Sequence, residues 1–204
     1  MNMEEILKKI IEAIETIVSD VPESKEKKSS NPVARSREIC NKAATKAAIT
    51  SGSLAIPPGP AGLITILPDL IVVWKIQSQM VADIAGTFGK KANLSKEQMI
   101  YCLFKHAGGQ VVRDIVVRAG ERLLVRKTTL RALKQILQKI GVRITQRIAG
   151  KVLSRFIIIA GAILMAAYAY YDTIQVSKTS IDFFKHEIVN ENDSEPPAAV
   201  AVRK

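Results

Sequence analysis

Cys102 and His106 stand four residues apart, the spacing that puts two side chains on one face of a helix. Their types would suit a nucleophile–base pair or half of a zinc site. A zinc site needs three or four ligands, and Cys40 and His186 are the sole other cysteine and histidine in the chain. The pair therefore reads as a small buried thiol beside a surface imidazole. Asp69 and Asp83, fourteen residues apart on one expected helix, would be separated by about 21 Å, against the roughly 5–9.5 Å of paired acid–base carboxylates. Gly59–Gly62 (GPAG) lacks the Lys-Ser/Thr of a phosphate loop, and its proline removes a donor that a phosphate cradle needs. No GxSxG occurs. No catalytic residue, metal ligand set or cofactor is expected, and the chain reads as non-enzymatic.

The charge points elsewhere. Between Lys105 and Arg155 lie thirteen Lys and Arg against Asp114 and Glu121, while the rest of the chain holds seventeen basic and seventeen acidic residues. The net charge of +11 thus falls in one stretch. Arg143, Arg147, Lys151 and Arg155 recur every four residues beside the aliphatic row Ile140, Ile144, Ile148 and Val152, the layout of an interfacial helix. Arg118, Arg122 and Arg126 repeat that spacing upstream, and Lys127, Arg131, Lys134 and Lys139 extend the field. These cations are the candidate contacts for an anionic phospholipid membrane, where each contributes about 1 kcal/mol, or for an acidic protein partner. Nucleic acid is disfavoured: Phe104 and Phe156 at its edges are the aromatics of the basic region, so base stacking is poorly supplied.

Two apolar segments complete the candidate surface. Phe156–Tyr171 (FIIIAGAILMAAYAYY) is sixteen residues without a charged side chain; as a helix it would span about 24 Å, short of a bilayer core of about 30 Å. It is expected either in the core or partly inserted. Gly52–Pro68 holds Pro57-Pro58-Gly59-Pro60 inside apolar sequence; its prolines are expected to exclude a continuous helix across Leu54–Trp74, and it reads as a buried turn or as a re-entrant segment. Leu54, Ile56, Leu63, Ile64, Phe156, Ile157, Ile159 and Tyr168 are the apolar membrane or lipid contacts expected from these segments.

Residues 1–19 predict an amphipathic helix, with Ile6, Leu7, Ile10, Ile11, Ile14, Ile17 and Val18 on one stripe. Residues 20–32 (DVPESKEKKSSNP) read as a flexible linker. A helix follows from Val33 with the small face Ala43, Ala44, Ala47, Ala48 and Ser51, suited to close helix approach. Pro68 is expected in the first turn of the next helix, with Asp69 at its positive end, and Gly89 closing it. Ser95 and Gln98 form a capping-box pattern. Further helices are expected over 110–118, 121–140, 142–152 and 156–189, punctuated by Gly120 and Gly141, with no strand. Residues 190–204 read as a disordered tail. The fold class expected is all-α: one domain over residues 33–189, preceded by the amphipathic helix. With 48% hydrophobic residues and two cysteines, a cytoplasmic protein with reduced thiols is the default. The N-terminus, with Glu4, Glu5, Lys8 and Lys9, does not read as a signal peptide.

The ordered series Ile56-Pro57-Pro58-Gly59, Leu67-Pro68-Asp69-Leu70, Gln77, Val81-Ala82-Asp83-Ile84-Ala85, Phe88-Gly89-Lys90, Ala160-Gly161-Ala162, Tyr171-Asp172-Thr173 and Phe183-Phe184 resembles the EcsC protein family over about two-thirds of the chain. The resemblance implies a helical, membrane-associated protein, accessory to an ABC exporter or envelope system at the inner face of the cell membrane, and carries no catalytic motif. It singles out Pro57, Gly59, Pro68, Asp69, Gln77, Asp83, Gly89, Gly161 and Asp172. The chain departs from the family at Ile157-Ile158-Ile159, where a proline is expected. Two further readings stand beside membrane association: a soluble adaptor holding an acidic protein, and a lipid-handling protein enclosing an acyl chain.

Overall fold

A computed structural model describes residues 3–52, 60–90, 94–119, 121–152 and 159–190. Seven helices and a small sheet follow in the order α1 (Met3–Ser19), α2 (Pro32–Gly52), α3 (Pro60–Thr87), α4 (Lys96–Gly108), α5 (Gln110–Arg113), β1 (Val116–Ala119), β2 (Arg122–Val125), α6 (Leu130–Val152), α7 (Ile159–Lys185) and β3 (Glu187–Asn190). The protein is predominantly helical, as its patterning predicts. Leu54, Ile56, Pro57, Gly59, Arg155, Phe156 and Ile157 lie outside the described residues.

The aliphatic stripe of α1 enters the common core, with Ile6, Ile10, Ile14, Ile17 and Val18 buried and the helix packed on α6 and α3. Gly141 does not end a helix. α6 runs through it without a break, and a Cβ there would stand 2.9 Å from both Leu7 Cδ1 and Ile11 Cγ1. The glycine is the place where α1 presses onto α6. The small face of α2 is used in the same way: Ala44 and Ala47 are fully buried, and α2 packs closely along α7.

Residues 20–31, read as a flexible linker, lie along α3. Ser24 donates to Asp83 (2.7 Å), Gln79 donates to the Glu23 carbonyl (3.0 Å), and the Ser29 N–H donates to the Thr87 carbonyl (2.9 Å). Gly86 permits this approach, since a Cβ there would meet the Glu26 carbonyl at 3.1 Å. Arg35 holds Glu26 at the far end (2.7 Å), and that hydrogen bond keeps the Glu26 carboxyl below its ordinary range. Asp83, one of the residues singled out by the resemblance, is therefore an anchor for this strap.

Three expectations need correcting. Pro68 is inside α3, not in its first turn; Pro60 takes the starting position, where a missing N–H costs nothing, and the ring of Pro68 is exposed. The segment around Gly120 is a hairpin, not two helices: β1 and β2 pair antiparallel with Val116 opposite Val125 and Ala119 opposite Arg122. The β-branched run 116–117 and the short connection favour that arrangement over a helix interrupted by glycine. Finally, α7 ends at Lys185, and residues 187–190 add a third strand parallel to β2. The Lys90 ammonium secures that ending by donating to the Phe184 (2.8 Å) and His186 carbonyls. The capping box at Ser95 and Gln98 forms as the sequence predicts.

Cross-contacts fix the helix directions. Ala47, Val73, Ile76 and Ala169 share one layer, and Cys40 hydrogen-bonds Ser177, so α2 runs antiparallel to α7. Gln77 meets Thr173, which makes α3 parallel to α7. His106 meets Asp172 while Tyr101 stacks on Phe183, so α4 is antiparallel to α7. Thr128 donates to Glu97, and a Cβ on Gly108 would lie 3.4 Å from Ile140, so α6 follows α4. The C-terminal halves of α2, α4 and α6 and the N-terminal halves of α3 and α7 therefore share one end of the bundle.

If α1 is an integral layer, Ile10→Ala lowers unfolding free energy by about 2–5 kcal/mol. Urea unfolding followed by circular dichroism reads this directly, and a change below about 0.5 kcal/mol, the scale of a surface substitution, would show that α1 is dispensable to the core.

Candidate functional site

The described chain brings its polar interior together around Asp172 on α7. His106 Nε2 from α4 lies 2.7 Å from Oδ1, and Gln77 Nε2 from α3 donates to Oδ2 at 2.9 Å and to Thr173 Oγ1 at 3.2 Å. A carboxylate is acceptor-only, so this contact requires the imidazole proton to be on Nε2. His106 Nδ1 is buried and has no hydrogen-bond partner. The imidazole is thus a half-buried, hydrogen-bonded group, not the surface side chain expected from sequence. Its spacing from Cys102 carries no chemistry: Cys102 is fully buried, hydrogen-bonded to Ser180, and burial pushes its thiol up to about 12. No group of three metal-ligating side chains occurs among the described residues.

Beside this network, α2, α3, α4, α6 and α7 line a partly open pocket of about 90 Å³. Its walls are largely apolar: Val73, Trp74, Leu103, Phe104, Ile144, Met165 and Ala169. Trp74 and Phe104 meet edge to face at 5.6 Å. The polar groups on the lining are Ser51, Asp69, His106, Tyr168 and Asp172. The four residues of α7 recur as 165, 168, 169 and 172, one helical face, and those of α3 as 69, 70, 73 and 74.

Asp69 is the anomaly. It sits in the interior of α3, away from the helix start that sequence suggested, and is 3% exposed. Among the described residues it has no hydrogen-bond or ion-pair partner. Burial pushes its carboxyl above the ordinary range. Gln77, Asp83 and Gly89 are also placed: Gln77 is fully buried in the network, Asp83 holds the strap, and Gly89 closes α3 at a φ of 73°. Gly161 lies on the first turns of α7.

The described cations fall on more than one element. Arg118 and Arg122 belong to the hairpin and reach across the sheet, Arg118 Nη2 to His186 Nε2 (3.2 Å) and Arg122 to Glu187 (2.9 Å). Arg126, Lys127, Arg131 and Lys134 are exposed at the start of α6 and in the segment before it. Arg126, Arg131, Lys134, Lys139 and Arg143 have no carboxylate within ion-pair distance among the described residues. Arg143 is exposed further along α6, with its guanidinium over Gly109. The side chains of Arg147 and Lys151, on the last turns of α6, are outside the described set, as are those of Leu63, Ile64 and Ile159. Of the aliphatic row beside the basic one, Ile140 is fully buried in the core and Ile144 lines the pocket, while the side chains of Ile148 and Val152 lie outside the described set. Exposed apolar side chains occur instead on other helices, at Ile49, Val72, Ile163, Tyr168, Tyr170 and Tyr171. No helix among the described residues is long and apolar enough to cross a membrane.

These features define a helical bundle with a small mixed sheet and an apolar pocket floored by a carboxylate–imidazole pair. No family model matches the chain, and no curated protein or solved structure matches it either.

The Asp69 carboxyl gives a signed stability effect. Its folded value is raised, so the folded state binds the proton more tightly than the unfolded chain, and stability falls as pH rises from the ordinary aspartate range through the folded value. Asp69→Asn is expected to raise the melting temperature at neutral pH and to leave it unchanged near pH 3. Equal effects at both pH values would show that the carboxyl charge is not what the pocket disfavours.

Proposed function

We propose that this is a non-enzymatic, peripheral membrane protein that docks end-on against anionic phospholipid at the cytoplasmic face of the cell membrane, as an accessory to a transport or envelope system. One observation carries the reading. The C-terminal half of α6, bearing Arg143 and, in sequence, Arg147 and Lys151, runs toward the end of the bundle where the apolar N-terminal halves of α3 and α7 begin. Ile49 and Ile163 are exposed at that end, 68% and 66% respectively, with Tyr171 behind them at 62%. Cations beside exposed aliphatic and tyrosine side chains suit the headgroup region, where charge attracts and apolar groups enter. The EcsC resemblance supports the accessory role. Arg126, Arg131 and Lys134, toward the other end, remain available to an acidic protein partner such as a membrane transporter.

Flotation with liposomes of neutral and anionic composition tests this. Binding is expected to anionic vesicles and to fall with salt. The triple variant R143E/R147E/K151E removes at least about 3 kcal/mol of attraction, a loss of partitioning of roughly 100-fold or more. Undiminished binding by the folded triple variant would remove the electrostatic basis of the proposal; no vesicle binding together with a co-purifying acidic protein would replace it with the adaptor reading.

A further inference from the structure

The pocket itself is unaccounted for by membrane docking. Burying a carboxyl without a partner is costly, and Asp69 is 3% exposed on the pocket wall with none. His106, another lining residue, carries a buried Nδ1 that has no hydrogen-bond partner. Asp172 cannot relieve either group, because Oδ1 is taken by His106 and Oδ2 by Gln77.

The electrostatics of this site oppose those of the surface around it. Two carboxyl side chains and one imidazole line the pocket, with no Lys or Arg among the described lining residues. With both carboxyls ionised, the site is net negative whether or not the imidazole is charged. In the neutral ring with Nε2–H given to Asp172, Nδ1 is an acceptor. The remaining wall is aromatic and aliphatic, and an aromatic face attracts cations through its ring quadrupole. Acceptors, negative charge and aromatic walls all complement the same chemistry.

We infer that this pocket is a binding site for a small amphipathic amine, whose ammonium donates to Asp69 and whose apolar body lies against Trp74, Phe104 and Tyr168. A partly open volume of about 90 Å³ suits a compact ligand, or the head of a longer one, and not a whole acyl chain. An anionic ligand would meet two carboxyls. The inference is independent of the membrane proposal, since the pocket lies between five helices and its test contains no lipid.

Trp74 is the single tryptophan of the chain and stands in the pocket wall, so its emission reports binding without a label. The intact chain is titrated with benzylammonium, benzyl alcohol and benzoate at neutral pH, with isothermal calorimetry in parallel. Benzylammonium is expected to give a saturable change, at least about tenfold tighter than benzyl alcohol, with no response to benzoate. Asp69→Asn is expected to weaken benzylammonium at least about tenfold and to bring it level with the alcohol. Benzoate binding as tightly as the amine, or an amine affinity unchanged in Asp69→Asn, overturns the assignment, as does the absence of any response to all three probes. Should Asp69→Asn fail to fold, the ranking of the three probes on the unmodified protein decides alone.

Discussion

The Asp172 carboxylate is the joint on which the arrangement of helices depends. Its two oxygens are claimed by different elements, His106 of α4 and Gln77 of α3, while the carboxylate itself belongs to α7. Apolar packing is tolerant of sliding; a two-sided hydrogen-bond set in a low-dielectric interior is not. Displacing α4 or α3 by one turn would leave a buried carboxylate, amide and imidazole without partners, which is strongly destabilising. The network thus sets the register of three helices, and from that register follow the pocket and the common end of the bundle.

Around this joint the chain divides its charge by sign. The positive charge is carried outward, on α6 and the hairpin, where single cations are solvated and exposed pairs such as Arg122–Glu187 contribute little to stability. The carboxyls of Asp69 and Asp172 are turned inward. Close helix contacts make the enclosure possible: Ala44 and Ala47 under α7, Gly141 under α1 and Gly86 under the strap each admit a neighbour that a larger side chain would displace.

Much of the helical framework was legible because it is encoded locally. The stripe of α1, the small face of α2 and the Ser95–Gln98 box each occupy fewer than twenty residues and have one physical meaning. The hairpin was not, because a spacing of four fits two periods: Arg118, Arg122 and Arg126 look like one helical face, yet an even number also returns to one side of a strand. Gly120 and the Val116-Val117 and Leu123–Val125 runs were the available counter-signal. Pro68 misled because proline's cost in a helix interior is a tendency that surrounding packing overrides. The His106–Asp172 pair lies 66 residues apart in sequence, and no local pattern reports a contact of that separation. The resemblance singled out Asp69, Gln77 and Asp172, without saying that they share one site.

The third strand gives the chain a defined order of completion. Residues 187–190 pair in parallel with β2, Arg122 opposite Glu187 and Val125 opposite Asn190, across an intervening sequence that includes all of α6 and α7. Helical hairpins such as α2–α3 close short loops and gather early, whereas this pairing must wait for most of the domain to be in place. During synthesis the hairpin therefore emerges with an unpaired strand edge, and the edge is covered only after α6 and α7 have followed it. The third strand acts as a latch: it pairs with β2, and Lys90 grasps the end of α7 from which it departs.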